Sequence, residues 1–242
     1  MKGIFIGTSD FQKFRQNDSY YTDKSLFIRE MLDLRSEVAL IPRPRRFGKT
    51  LNISMLRYYF ERSEEHRQEL FTDLAIWQQG EEYTQLQGTM PVIFVSFKDA
   101  KGETWDGVYR KIKNVITTEY KRHKKSVYSQ LDEEELEMMQ RICKKTGEAE
   151  EYENSLLTLT QWLERAYGTK RVLLLIDEYD TPIHQAYVHG FHEECISFMQ
   201  GLLGSALKDN SSLYRAVLTG ILRVAKESIF SGLNNVRVCS IL

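Results

Sequence analysis

At residues 171–176 the chain reads RVLLLI and runs straight on into Asp177 and Glu178. Five consecutive apolar residues show no alternation, so both faces of such a strand must be covered, as they are in a parallel sheet between two layers of helices. An acidic pair at its end marks the carboxyl edge, where open α/β sheets bind ligands.

The rest of the chain fits that frame. A short strand at 38–41 leads into a basic loop and a helix over 49–60, and a second strand, PVIFVSF, covers 91–97 with its proline at the first position. Helical spacing predicts segments over 105–122, 132–144 and 155–167, a stretch free of strands that serves as a crossover. A helix over 192–207 precedes a strand at 214–219, and 236–240 is a last short strand. Ahead of them, KSLFIREMLDL at 24–34 has helical spacing with Asp23 in the capping position. The alternation predicts an α/β fold with a mainly parallel sheet, and 171–176 is expected at its centre.

No repeat or Pro-, Gly- or Ser-rich linker divides the sequence. We therefore read 1–242 as a single domain, with 1–36 a lead-in segment and 37–242 the core. At 42% apolar and 28% charged residues the chain can bury a core, and a net charge of −1 excludes bulk attraction to nucleic acid or an anionic membrane. Cys143, Cys195 and Cys239 are too few and too widely spaced for a disulfide framework. No apolar run reaches membrane-spanning length, and neither a membrane partner nor a signal peptide is read, so a cytoplasmic location is expected.

The basic loop at 43–50 is RPRRFGKT, against the phosphate-loop pattern G-x-x-x-x-G-K-[ST]. Gly48, Lys49 and Thr50 match, whereas Arg43 stands where the pattern has its first glycine. A glycine before the lysine lets backbone N–H groups wrap a phosphate at the start of the following helix. Lys49 supplies an ammonium for the outer phosphates, and the Thr50 hydroxyl is a hard oxygen ligand for Mg²⁺. The loop residues Arg45, Arg46 and Phe47, with Leu51 on the first helical turn, complete the expected nucleotide-binding set.

At the carboxyl end of the 171–176 strand Asp177 is a candidate Mg²⁺ ligand, and Glu178 a candidate base for the water that attacks a γ-phosphate, the Walker B arrangement. The same pair, with Asp180, Thr181 and Pro182 close behind, also reads as a turn or helix cap. Thr219 at the end of YRAVLT is a candidate γ-phosphate contact, as is Arg223, while Tyr20 and Tyr21 are candidates for stacking on adenine. His184, His189, His192 and Cys195 lack the spacing of a zinc site and read as helix surface. The run KRHKK at 121–125, followed by acidic stretches, reads as exposed helix of mixed charge, with no aromatic platform for nucleic acid.

Four segments in order, SYYTDKSLFIREML, LIPRPRRFGKTLNISML, LLLIDEYDTPI and AVLTGILRVAKESIFSGLNN, resemble the AAA-ATPase-like family of bacterial P-loop ATP-binding proteins over nearly the whole chain. In that family the loop is typically RPRRFGK[ST], which makes Arg43 a normal residue. The resemblance implies a three-layer P-loop NTPase fold of the ASCE type, in which an inserted strand lies beside the phosphate-loop strand. It implies ATP and Mg²⁺ as ligands, Gly48, Lys49 and Thr50 as Walker A residues, and Asp177 and Glu178 as Walker B residues. Members commonly continue into a helical region and a PD-(D/E)XK nuclease-like domain, so a chain ending at Leu242 is expected to be truncated before the lid. A nucleic-acid or defence-related target follows from the analogy alone, and homo-oligomerisation stays open.

These expectations converge on Mg-dependent ATP binding and hydrolysis coupled to a conformational change. The alternative is an ATP-dependent switch or interaction module with little or no hydrolysis.

Overall fold

The computed structural model describes residues 7–17, 20–65, 67–168, 172–221, 230, 233 and 235–239. Its sheet is built from β1 (Val38–Pro42), β2 (Val92–Ser96), β3 (Val172–Asp177), β4 (Leu213–Gly220) and β5 (Val236–Val238), in the order β2-β3-β4-β1-β5. All four pairings are parallel. Helices and short turns supply the connections: α1 (Phe11–Gln16), α2 (Leu26–Asp33), α3 (Lys49–Phe60), α4 (Glu81–Thr84), α5 (Trp105–Val127), α6 (Glu133–Lys144), α7 (Ala149–Glu153), α8 (Ser155–Tyr167), α9 (Thr181–His189) and α10 (His192–Leu207).

Every residue of β3 is buried, as its unbroken apolar run demands, and the run divides between two cores. Val172, Leu174 and Ile176 face one apolar cluster, with residues of α5, α6, α8 and α10. Leu173 and Leu175 face another, with α1, α2, α3 and the segment around Phe71 and Ile76. Helical layers on both faces of one parallel sheet give the three-layer architecture of a P-loop NTPase. β3 is interior but not central, because β4 takes the middle place, between β3 and β1.

β2 is an edge strand, and α5 closes part of its open side. The Phe94 N–H donates to Glu119 Oε1 at 2.7 Å, and Arg122 Nη2 donates to Val92 O at 2.6 Å. Arg122 also pairs with Glu119 and Glu61, and Arg67 pairs with Glu61 at 2.8 Å. Edge groups satisfied in this way offer no template for another strand. The run at 121–125 is therefore not one solvated face. Lys121, Lys124 and Lys125 are exposed, while the helical turn carries Arg122 and His123 inward against β2.

Asp23 does not cap α2, whose N-cap is Ser25. Its carboxylate accepts instead from Ser25 N and Ala75 N, each at 2.7 Å, pinning the lead-in segment to the 3-10 turn at Ala75–Gln78.

Candidate functional site

Register decides what lies at the carboxyl edge of the sheet. Ser96 is paired with Asp177, Ile176 with Leu218, and Thr219 with Ile41, so three polar side chains come level where the apolar runs end. The Asp177 carboxylate is fully buried and accepts three hydroxyl hydrogen bonds: from Thr50 at 2.9 Å, Thr219 at 2.6 Å and Ser96 at 3.3 Å. Thr50 and Asp177 lie on strand–helix units separated by β4, and Thr219, at the end of β4, stands between them.

The loop after β1 turns tightly. Gly48 has φ +73° and Arg46 has φ +70°, a left-handed conformation that costs a side-chain-bearing residue about 1–2 kcal/mol. Asn52 is the residue whose N–H reaches back to Gly48 O, at 2.9 Å, so the N–H groups of Lys49, Thr50 and Leu51 precede the helical ladder at the positive end of α3. Lys49 Nζ donates to the carbonyls of Arg43 at 2.7 Å and Pro44 at 3.0 Å. Burial lowers the Lys49 pKa, and the carboxylates of Glu178, Asp180 and Asp177 oppose that shift. Arg45, Arg46 and Phe47 project to the surface, whereas Leu51 packs against the second apolar cluster.

Glu178 follows β3 at φ +52°, its Oε2 accepting from Thr181 Oγ1 at 3.1 Å. Backbone strain of this kind persists only where surrounding contacts over-determine it. Here α9 begins at Thr181 with Pro182 in its first turn, and Asp180 accepts from Ile221 N at 2.7 Å. The acidic pair is thus a strand end and a helix lead-in at once. Gly220 allows the close approach of β4: a Cβ there would meet Tyr179 at 2.7 Å and Asp180 at 2.8 Å.

Ser96, and Lys24 beside Gly48, escaped the sequence reading. Ser96 carried a signal, since it is the polar member of PVIFVSF at the strand's carboxyl end. Lys24 carried none, because only packing brings its ammonium within 3.7 Å of where a Gly48 Cβ would stand.

The two candidates for stacking on adenine sit in different surroundings. Tyr21 packs edge-on against Phe11 and Phe14 with its hydroxyl on Met55 Sδ, burial pushing its pKa up to about 12, and Tyr20 is 63% exposed. Arg223 lies outside the described residues. Cys195 is buried in the first core, while His189 stacks on Phe191 and His192 on Tyr187.

Among the described residues no cluster of three or more His, Cys, Asp or Glu could hold a metal ion by itself. The donors at Asp177 are hard oxygens, one carboxylate and a hydroxyl at 2.9 Å, which fits Mg²⁺, an ion that keeps waters and takes its other ligands from phosphates. Among the described residues no helix is long and apolar enough to cross a membrane.

Comparison with known proteins agrees with this architecture. A protein of Azotobacter chroococcum mcd 1, named "Uncharacterized protein in vnfD 5'region", is 28% identical over 243 aligned residues, covering 97% of this chain. The chain spans 40% of that relative's length. No solved structure matches. The family described as "Predicted AAA-ATPase" matches residues 5–230, and the chain belongs to that family.

Proposed function

We propose that the chain is a single nucleotide-binding domain that binds Mg·ATP at the carboxyl edge of its sheet and hydrolyses the β–γ phosphoanhydride. The meeting of Thr50 and Asp177 at 2.9 Å carries this reading, because it joins a helix N-terminus suited to phosphate with a carboxylate suited to a divalent cation. Two apolar clusters on one sheet support treating the chain as one unit.

In this reading the N–H groups of Lys49, Thr50 and Leu51 cradle the phosphates. Lys49 exchanges the Arg43 and Pro44 carbonyls for phosphate oxygens, and Arg45 and Arg46 are near enough in sequence to add charge from outside. Thr50 and Asp177 would hold Mg²⁺, which when bound supplies neutralisation of the charge on the transferring phosphoryl group. Glu178, oriented by the Thr181 hydroxyl, takes a proton from the attacking water. Water oxygen bonds to the γ-phosphorus, the bond to the bridging oxygen breaks, and ADP and phosphate leave. Thr219 is close enough to Asp177 to register the change. The bond from Ile221 N to Asp180 offers a mechanical link from the acidic turn to the chain beyond β4.

Glu178→Gln tests the chemistry. Phosphate release should fall by about 100-fold or more while ATP binding persists. Undetectable release from the parent chain, with ATP bound, would instead identify a nucleotide-dependent switch.

A further inference from the structure

A cavity of about 540 Å³ opens at the carboxyl edge of the sheet, walled by Arg45 from the loop after β1, Lys101 from the chain between β2 and α5, Asp180, Thr181 and His184 from the start of α9, and Ile221 beyond β4. Segments that follow four strands converge on it, in the crevice where open α/β sheets take their ligands. It shares no residue with the cleft of about 330 Å³ that Lys49 and Thr219 line beside α2 and α3. The loop after β1 divides the two, with Arg43 on the wall of the smaller and Arg45 on the wall of the larger.

An attacking water occupies about 30 Å³, so the larger cavity has far more room than hydrolysis calls for. The Thr181 hydroxyl that lines it donates to Glu178 Oε2 at 3.1 Å, which sets the carboxylate proposed as base next to the lining. Its charge is equally specific. Arg45, Lys101 and His184 bring donors to the wall, and none of the three forms an ion pair among the described residues. The carboxylate on the wall, Asp180, already accepts from Ile221 N at 2.7 Å. Unpaired cationic donors favour an anionic group, and the neutral side chains of Thr181 and Gln185 suit hydroxyls.

We propose that this cavity takes a sugar-sized polyol bearing a phosphate or carboxylate group, and that the chain transfers the γ-phosphoryl group of ATP to one of its hydroxyls. Arg45 and Lys101 pair with the anionic group, while His184 and Gln185 hold hydroxyls. The reacting hydroxyl oxygen bonds to the γ-phosphorus, the bond to the bridging oxygen breaks, ADP leaves with the bonding pair, and the hydroxyl proton passes to Glu178. Hydrolysis is the same displacement with water in place of the polyol. The proposal rests on the Mg·ATP reading of the loop and adds an acceptor to it.

Turnover with Mg·ATP, following ADP and free phosphate separately, tests the proposal with two probes, ribose 5-phosphate and gluconate. At least one probe should raise ADP formation about tenfold without a matching rise in free phosphate, the phosphoryl group appearing as a new ester by ³¹P NMR. Which probe works distinguishes a phosphate-bearing from a carboxylate-bearing acceptor. Lys101→Ala and His184→Ala should each raise the KM for that probe about tenfold, while hydrolysis without probe stays at the parent rate, which also shows that they fold. ADP and free phosphate rising in step would make the ligand an activator of hydrolysis and overturn the transfer. Hydrolysis that neither probe alters overturns the acceptor site and leaves the ATPase reading standing, whereas no ADP with or without a probe overturns both.

Discussion

Thr50 Oγ1 donates to Asp177 Oδ2 at 2.9 Å across 127 residues of sequence. If the two oxygens serve one ion, their contributions to Mg·ATP affinity are not additive. Thr50→Ala and Asp177→Asn should each lower that affinity about tenfold or more, and the double variant should be no weaker than the weaker single. The cycle is read by calorimetry with Mg²⁺ and again with EDTA, where all four proteins should bind ATP alike. Strict additivity with Mg²⁺ would separate the two residues.

At Gly220 β4 comes close to the turn that follows Asp177. Gly220→Ala drives a methyl into Tyr179 and Asp180, and Tyr179 is fully buried against Phe230. Overpacking of this kind costs about 1–3 kcal/mol. Urea denaturation should show that loss, and ATP turnover should fall further than stability predicts because Glu178 is displaced along with Asp180.

Arg122 holds two buried carboxylates and a strand-edge carbonyl together. Replacing it with Met leaves Glu119 and Glu61 without that partner, and breaking one side of a buried ion pair costs about 3–5 kcal/mol. Arg67 and Arg57 still face Glu61, so the lower end of that range is expected from denaturation of Arg122→Met. A loss below about 1 kcal/mol would mean that the network is solvated in practice.

The same network sets a pH dependence. Burial alone would raise the Glu119 carboxyl, but hydrogen bonds from His123 and Arg122 and the Arg122 charge outweigh it and hold the pKa down at about 2, against an ordinary 4.5. A depressed carboxyl pKa stabilises the fold fully above the unfolded value, and that stabilisation drains away as pH falls from about 4.5 to about 2. The amount is about 3 kcal/mol at 1.36 kcal/mol per unit. Denaturation midpoints should therefore fall across that window in the parent and fall much less in Glu119→Gln.

Much of the fold is local in origin. RVLLLI can only be a strand covered on both faces, and helical spacing marked the segments now seen as α3, α8 and α10 within a residue or two of their ends. The short helix α1 and the turns between α3 and β2 were not read, since one or two helical turns leave little periodicity to detect. Arg122 and His123 were read as surface because a charge run looks the same in sequence whether it meets water or the edge of a strand.

By itself the sequence determined that an apolar strand ends on Asp177 and Glu178 and that a basic Gly-Lys-Thr loop joins a strand to a helix. Both follow from residue type and spacing along the chain. Tertiary structure alone decided that β4 separates the two motif strands, that Ser96 and Thr219 join Thr50 on one carboxylate, and that Lys24, Phe27 and Arg43 gather beside the loop that follows β1. Strand order and register are set by how two apolar faces are buried together, a property of the whole sheet that no single segment encodes.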